Sequence, residues 1–327
     1  MAQMKYFYEL TISSSPHIHS KVTTQTVMRD VLIALLPALC GSVYFFGFRA
    51  LIVTFLSAAA CVFFEWLYCQ VAKVPCRVYD LSSVVTGVLI AFVCPVTIPY
   101  WCILVGDFFA IVLVKQLFGG VGRNIVNPAL AARAFLFSWP VIMTTWVTPG
   151  FRSFSSADAV TAATPLASMH QGSLPAVGLQ DMLLGKVGGC IGETSVVLLL
   201  LGFGYLLIRR VVSCRIPVSF LATVALIAFL FPRGNDRLLW CAMQLCSGGV
   251  MLGACFMATD YVTSPVTHLG QVLFGIGCGA LTMVIRYFGG YNEGVSYAIL
   301  VMNCFVVLLD RLGRPKKFGT VGKAVAK

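Results

Sequence analysis

The sequence is built from long apolar runs separated by short polar stretches. The runs cover roughly residues 28–47, 50–71, 82–95, 100–118, 127–145, 191–212, 216–232, 238–257, 268–286 and 295–312. A membrane-spanning helix needs about 20 apolar residues, because each residue adds about 1.5 Å of length. Only 11% of the residues are charged, against about a quarter in soluble domains. The pattern predicts an all-α integral membrane protein with about ten transmembrane helices.

The net charge of +11 could indicate nucleic-acid binding. The basic residues, however, are scattered singly between the apolar runs, and their only dense cluster lies at 311–327. A basic cluster next to a membrane helix is typical of a cytoplasmic anchor. We therefore expect membrane lipid, and no nucleic acid, as a partner.

Two apolar runs are short or interrupted at corresponding places in the two halves of the chain. The run 82–95 ends in Cys94-Pro95, and the run 238–257 is broken at 247–249. Each half also carries a Phe-Gly-Gly sequence, at 118–120 and 288–290, before its last apolar run. Five spans per half is an odd number, so the halves would be inverted repeats with broken half-helices near a binding site.

The distribution of Lys and Arg predicts the orientation. With a cytoplasmic N-terminus, most basic residues fall on the cytoplasmic side, as the positive-inside rule requires. Both termini are then cytoplasmic and the long loop 146–190 is external. The predicted divisions are an N-terminal segment 1–26, a first five-helix repeat 27–145, the external loop 146–190, a second repeat 191–312 and a basic tail 313–327.

The external loop contains the sequence Asp-Ala-Val-Thr-Ala-Ala-Thr-Pro at residues 158–165. On its own this is a Ser/Thr-rich linker with a helix N-cap. Three further stretches accompany it in order: Ser-Pro-His-Ile at 15–18, a Gly- and Asn-rich stretch at 119–130, and Ala-Thr-Asp-Tyr-Val-Thr-Ser-Pro at 258–265. Together they resemble the family that contains the D subunit of Rnf ion-translocating electron-transport complexes and the B subunit of the sodium-translocating NADH:quinone reductase.

The resemblance covers nearly the whole chain, and the short N-terminal segment is closer to the Rnf branch. It implies a fold like that of urea transporters and a covalent FMN that a flavin transferase attaches to Thr164 through a phosphoester, making the chain a phosphoprotein. Asp158, Thr161, Ala162 and Ala163 complete the family's attachment pattern, with Ala162 where relatives often have Gly.

Asn127-Pro128 has the form of a helix N-cap followed by proline at the first helical position. Asn124 lies one turn earlier. One interpretation is capping at the start of a membrane helix. The other, implied by the resemblance, is that Asn124 and Asn127 contact a second, non-covalent flavin (riboflavin).

Ionisable residues inside apolar runs are costly and usually functional in membranes. Glu65, Asp107 and Arg133 fall inside predicted spans, so they are candidates for an ion path. A structural pairing of Asp107 with Arg133 is an equal alternative. The four histidines show no metal-ligand spacing, so we predict neither a metal site nor a catalytic acid–base group.

The resemblance to this family implies a subunit of a redox-driven ion translocase in the cytoplasmic (inner) membrane. It would pass electrons through FMN and couple them to Na⁺ or H⁺ movement in a ferredoxin:NAD⁺ oxidoreductase, with the A, B, C, E and G subunits of an Rnf complex as partners. No complete active site is expected on this chain. The alternatives are a solute channel or transporter without a redox cofactor, and a purely structural membrane subunit.

Overall fold

A computed structural model describes residues 22–147, 164–175, 177–193, 195–234, 236–290 and 293–314. Within these ranges every regular element is helical. The first half contains α1 (Thr24–Phe46), α2 (Phe48–Ala72), a 3₁₀ turn (Val78–Asp80), α3 (Ser82–Phe92), α4 (Tyr100–Phe108), α5 (Pro128–Leu136) and α6 (Pro140–Met143). α4 continues without a break as a π-helix over Phe109–Gln116.

The second half begins with two short helices and ends with two long ones. It contains α7 (Pro165–His170), α8 (Leu179–Leu184), α9 (Val196–Ile208), α10 (Arg215–Leu230), α11 (Arg237–Cys246), α12 (Val250–Leu252), α13 (His268–Phe288) and α14 (Val295–Leu312). A π-helical segment, Gly253–Met257, extends α12.

Within the described ranges, four helices are long and apolar enough to cross a membrane: α1, α2, α13 and α14. A fifth span results if α11 and the segment Val250–Met257, bent by 64° at their break, are taken as one. α3, α9 and α10 are apolar but shorter, with 11, 13 and 16 residues. The chain is thus a multi-pass helical membrane protein.

The run predicted to be helical over 127–145 is divided. α5 ends at Leu136 and the short α6 begins at Pro140. Proline disfavours helical geometry in the residue before it, and Trp139 accordingly leaves the helical region with φ −110° and ψ 71°. The break in the run 238–257 has a comparable cause, because Gly248 adopts a φ of +60°, which glycine tolerates at little steric cost.

Helix contacts follow the same scheme in both halves. α2 packs against α3 and α4, and α10 packs against α11 and α13. The halves meet where α1 contacts α9 and where α5 contacts α14. Glycines permit the closest approaches: a Cβ on Gly87 would lie 2.6 Å from Ala58 Cα, and one on Gly202 would overlap the Ala34 carbonyl oxygen.

Candidate functional site

Two clefts lie between the halves. The first, which we call the asparagine cleft, is lined by the residues before α5 together with parts of α1, α3 and α9, and has a volume of about 770 Å³ including open solvent. Its polar lining includes Ser82, Lys115, Asn124, Asn127 and Asp260. The second, the threonine cleft, has a volume of about 1170 Å³ on the same basis and is lined by Thr164.

The threonine cleft combines small residues, aromatic rings and carboxylates. Gly188, Gly189, Gly248 and Gly290 leave room in its wall; Phe137 and Trp146 supply aromatic surface; Glu193 and Glu293 supply the charged groups. Ligand sites commonly have this mixture of apolar surface and a few convergent polar groups.

Thr164 stands at the edge of this cleft in extended conformation, with φ −71° and ψ 146°. Pro165 follows it as the first residue of α7, so the extended geometry that a residue before proline prefers is confirmed. Thr164 is only partly buried, and its side chain makes no capping hydrogen bond to α7. Its hydroxyl is therefore not used by the helix that it precedes. Asp158, Thr161, Ala162 and Ala163 lie outside the described residues.

Helix α5 connects the two clefts. Its N-cap, Asn127, lines the asparagine cleft, and its C-cap, Phe137, lines the threonine cleft. At about 1.5 Å per residue, ten residues separate the two caps by about 15 Å. The two clefts therefore lie at opposite ends of one short buried helix.

Asn127 is occupied by structural hydrogen bonds. Its Oδ1 accepts from the backbone N–H groups of Ala129 (3.0 Å) and Leu130 (3.4 Å), and its Nδ2 donates to the Met257 carbonyl (3.3 Å). The capping interpretation is therefore confirmed for Asn127. Among the described residues, the Asn124 side chain makes a local bond, from Nδ2 to the Val126 carbonyl at 3.3 Å, and its Oδ1 caps no helix.

Arg133, near the C-terminal end of α5, joins the two halves through two buried ion pairs. It donates from Nη1 to Glu193 Oε1 at 3.0 Å and from Nη2 to Glu293 Oε2. The Arg133 and Glu193 side chains are 2% and 5% exposed. The predicted alternative of an Asp107–Arg133 pair is wrong, because both of the arginine's acidic partners come from the second half and Asp107 instead contacts Ser57.

A third buried ion pair lies within the first half. Lys115 Nζ donates to Glu65 Oε2 at 3.2 Å and also to the hydroxyls of Ser82 (2.8 Å) and Ser83 (2.9 Å). Gln116 donates to Glu65 Oε1 at 2.7 Å. Both carboxylate oxygens of Glu65 are therefore paired within the helix bundle.

Sequence reasoning missed Glu193 and Glu293. Glu193 lies at the very start of the apolar run 191–212, and Glu293 lies two residues before the run 295–312. Both belong to the loops that precede α9 and α14, so neither stands out as a charge in the middle of a predicted span. Their position at the start of an apolar helix was the only available signal. In the part of the chain that the structure describes, no group of three or more His, Cys, Asp or Glu side chains could hold a metal ion.

The fold and the clefts define a multi-pass helical membrane protein with clefts between its two halves. The chain belongs to the NQR2, RnfD, RnfE family, whose model matches residues 11–319, and the resemblance drawn from the motifs is confirmed. It is 47% identical over 316 residues to the D subunit of the Na⁺-translocating ferredoxin:NAD⁺ oxidoreductase complex of Acetobacterium woodii, covering 95% of each chain.

Two further relatives have similar coverage. The D subunit of the proton-translocating ferredoxin:NAD⁺ oxidoreductase complex of Clostridium ljungdahlii is 41% identical over 323 residues, covering 95% of this chain and 96% of the relative. The D subunit of the ion-translocating oxidoreductase complex of Stutzerimonas stutzeri is 37% identical over 323 residues, covering 90% and 91%.

Proposed function

We propose that this chain is the D subunit of an ion-translocating ferredoxin:NAD⁺ oxidoreductase complex in the cell membrane. The observation that carries the proposal is full-length similarity to proteins so named, with coverage of 95% of both chains for the Acetobacterium woodii relative. It acts beside the other subunits of the complex (A, B, C, E and G), which hold the sites that this chain lacks.

Thr164 carries FMN through a phosphoester. Three observations support this: its hydroxyl makes no capping bond, it is partly exposed, and it lines a cleft with glycine walls and aromatic surface. A soluble transferase needs a hydroxyl outside the bilayer, and a covalent tether keeps the cofactor from diffusing away. Asp158, Thr161 and Ala163 belong to the sequence that the transferase recognises.

The residues of the threonine cleft fit a flavin. Phe137 and Trp146 offer rings beside which an isoalloxazine can pack, and the absence of side chains at Gly188 and Gly189 leaves space for it. FMN supplies the redox chemistry when bound. The chain positions it and surrounds it with fixed charges, of which Glu193 and Glu293 are the nearest on the cleft wall.

A second, non-covalent flavin (riboflavin) occupies the asparagine cleft. Asn124 lines this cleft and has an amide oxygen free of capping, whereas Asn127 acts mainly by holding the start of α5. With flavins at both ends of α5, electrons have a route between the two clefts along the interface of the halves.

The chain forms two inverted five-helix repeats, with about ten spans in all. The threonine cleft then lies on the external side of the membrane, and both termini lie in the cytoplasm. The corresponding packing of α2 with α3 and α4, and of α10 with α11 and α13, supports the repeat. Glu65, Asp107 and Arg133 are the ion-path candidates, because all three are buried and buried ionisable residues in membranes are usually functional.

The test uses membrane vesicles from a strain that lacks this chain and is complemented with either the wild type or Thr164→Ala. Wild-type vesicles should reduce NAD⁺ with reduced ferredoxin and accumulate Na⁺ or H⁺, and Thr164→Ala vesicles should do neither. Full activity in the strain without the chain would refute the assignment. Solute flux through the purified chain in liposomes, with no bound flavin, would favour the channel alternative.

A further inference from the structure

Asp107 is fully buried in α4 and has an unusual set of neighbours. Its Oδ1 lies 2.7 Å from Ser57 Oγ and 3.5 Å from Cys61 Sγ, both on α2. Its Oδ2 is buried and has no hydrogen-bond partner among the described residues. In the same ranges no Lys, Arg or His nitrogen lies within 4.0 Å of the carboxyl group.

If Asp107 were ionised, the Ser57 hydroxyl would have one proton for two neighbouring oxygen atoms. Ser57 Oγ is also 2.9 Å from the Gly87 carbonyl oxygen, and a hydroxyl has a single proton to donate. The contact between Ser57 and Gly87 is held in place by close packing of α2 against α3. A Cβ on Gly87 would lie 2.7 Å from the Ser57 carbonyl oxygen. With an ionised carboxylate, the serine faces two acceptors with one proton.

A neutral carboxylic acid resolves this arrangement. Its O–H donates to Ser57 Oγ, and the Ser57 hydroxyl then donates to the Gly87 carbonyl, so every donor faces an acceptor. The remaining Oδ2 is then a carbonyl oxygen, whose burial without a partner costs far less than that of a carboxylate. Heavy-atom positions leave the hydrogen directions open, and the protonated form gives each of the two contacts a proton of its own.

Asp107 lies beside a row of polar residues that leads to the asparagine cleft. We call this row, which consists of Ser57, Cys61, Glu65 and Lys115, the polar seam. Ser57, Cys61 and Glu65 are spaced by four residues, so they share one face of α2. Glu65 binds Lys115, which lines the asparagine cleft. The helix between Asp107 and Lys115 is a π-helix, a geometry that is frequent at functional sites.

We propose that Asp107 is a proton-binding site inside the membrane domain, held as a neutral carboxylic acid at the crossing of α2, α3 and α4. Cys61 on α2 contacts it, and Cys94 after α3 lies near enough to interact with it electrostatically. Glu65 and Lys115 lie beyond Cys61 and are paired with each other. The site exchanges its proton with the asparagine cleft along this seam. Its part in ion translocation rests on the proposed function, whereas its protonation does not.

Infrared spectroscopy of the purified complex tests the protonation directly. The difference spectrum of wild type minus Asp107→Asn at neutral pH should contain the carbonyl stretch of a protonated carboxylic acid, which shifts on deuteration. The matched control is Glu65→Gln, whose difference spectrum should show carboxylate bands because Glu65 is paired with Lys115. Carboxylate bands from Asp107 at neutral pH would overturn the proposal.

A second measurement needs no variant and no redox activity. Dicyclohexylcarbodiimide adds to protonated carboxyl groups in apolar surroundings, so the peptide containing Asp107 should gain the adduct mass, and less of it as the pH rises. Labelling that does not depend on pH would overturn the proton site. Labelling that Na⁺ prevents at constant pH would also overturn it and would indicate that Asp107 binds Na⁺ instead. If Asp107 is labelled as expected but wild-type vesicles transfer no electrons, the proposed function fails and the proton site stands.

Discussion

Replacement of Arg133 by Met removes the shared partner of two buried carboxylates. The Glu193 and Glu293 side chains are 5% and 14% exposed, and the two Oε1 atoms approach each other at Gly249, where a Cβ would lie 2.5 Å from one and 2.6 Å from the other. Breaking a buried pair by removing one partner costs about 3–5 kcal/mol. We expect Arg133→Met to lower the free energy of unfolding by that amount, measured by denaturant unfolding of the purified chain in detergent.

The matched control is Arg209→Met. Arg209 also joins the two halves, by an ion pair with Asp30 at 3.2 Å, but its side chain is 52% exposed. Asp30 is buried but keeps the Tyr205 hydroxyl as a partner at 3.3 Å, so this variant should lose less stability than Arg133→Met. Adding Glu193→Gln and Glu293→Gln to Arg133→Met should recover most of the loss, because no buried charge is then left unpaired. An Arg133→Met variant as stable as Arg209→Met would refute the reasoning.

Three further predictions follow from the clefts, the orientation and the helix contacts. Asn124→Ala should lower the non-covalent flavin content of the complex while the covalent flavin stays, whereas Asn127→Ala should also cost about 1 kcal/mol of stability through the lost N-cap; unchanged flavin content in Asn124→Ala would contradict the flavin contact. Gln171→Cys should react with a membrane-impermeant maleimide in intact cells, and complete protection would contradict the external placement of the loop. Gly87→Ala should cost about 1–3 kcal/mol by overpacking the contact of α2 with α3, and Gly204→Ala, where a Cβ meets nothing within 4 Å, should change stability by at most about 1 kcal/mol; equal effects of the two would contradict the close approach.

Local chemistry made some features predictable from the sequence. Apolar run length identified the four long helices, and Pro165 predicted the extended conformation of Thr164 because proline acts on its immediate neighbour. The cap at Asn127 likewise depends only on the residues that directly follow it. The break at Gly248 was visible as a Ser-Gly-Gly interruption of an apolar run.

Long-range pairing was not predictable in this way. The partners of Arg133 lie 60 and 160 residues away in the chain, and no spacing rule connects residues that meet only when the halves pack. The sequence placed Asp107 and Arg133 at similar depth in neighbouring runs, which made their pairing a reasonable expectation. Three-dimensional packing instead turned Asp107 towards α2 and Arg133 towards the second half.

The central claim is that Thr164, and not Thr161, carries FMN. Peptide mass spectrometry of the chain from cells that contain the flavin transferase should find the FMN adduct on the peptide with Thr164. Thr164→Ala should abolish the adduct, with a change in stability within about 0.5 kcal/mol for a substitution at a partly exposed loop position. Thr161→Ala should retain the adduct on Thr164. An adduct on Thr161, or no adduct on either residue, would contradict the account.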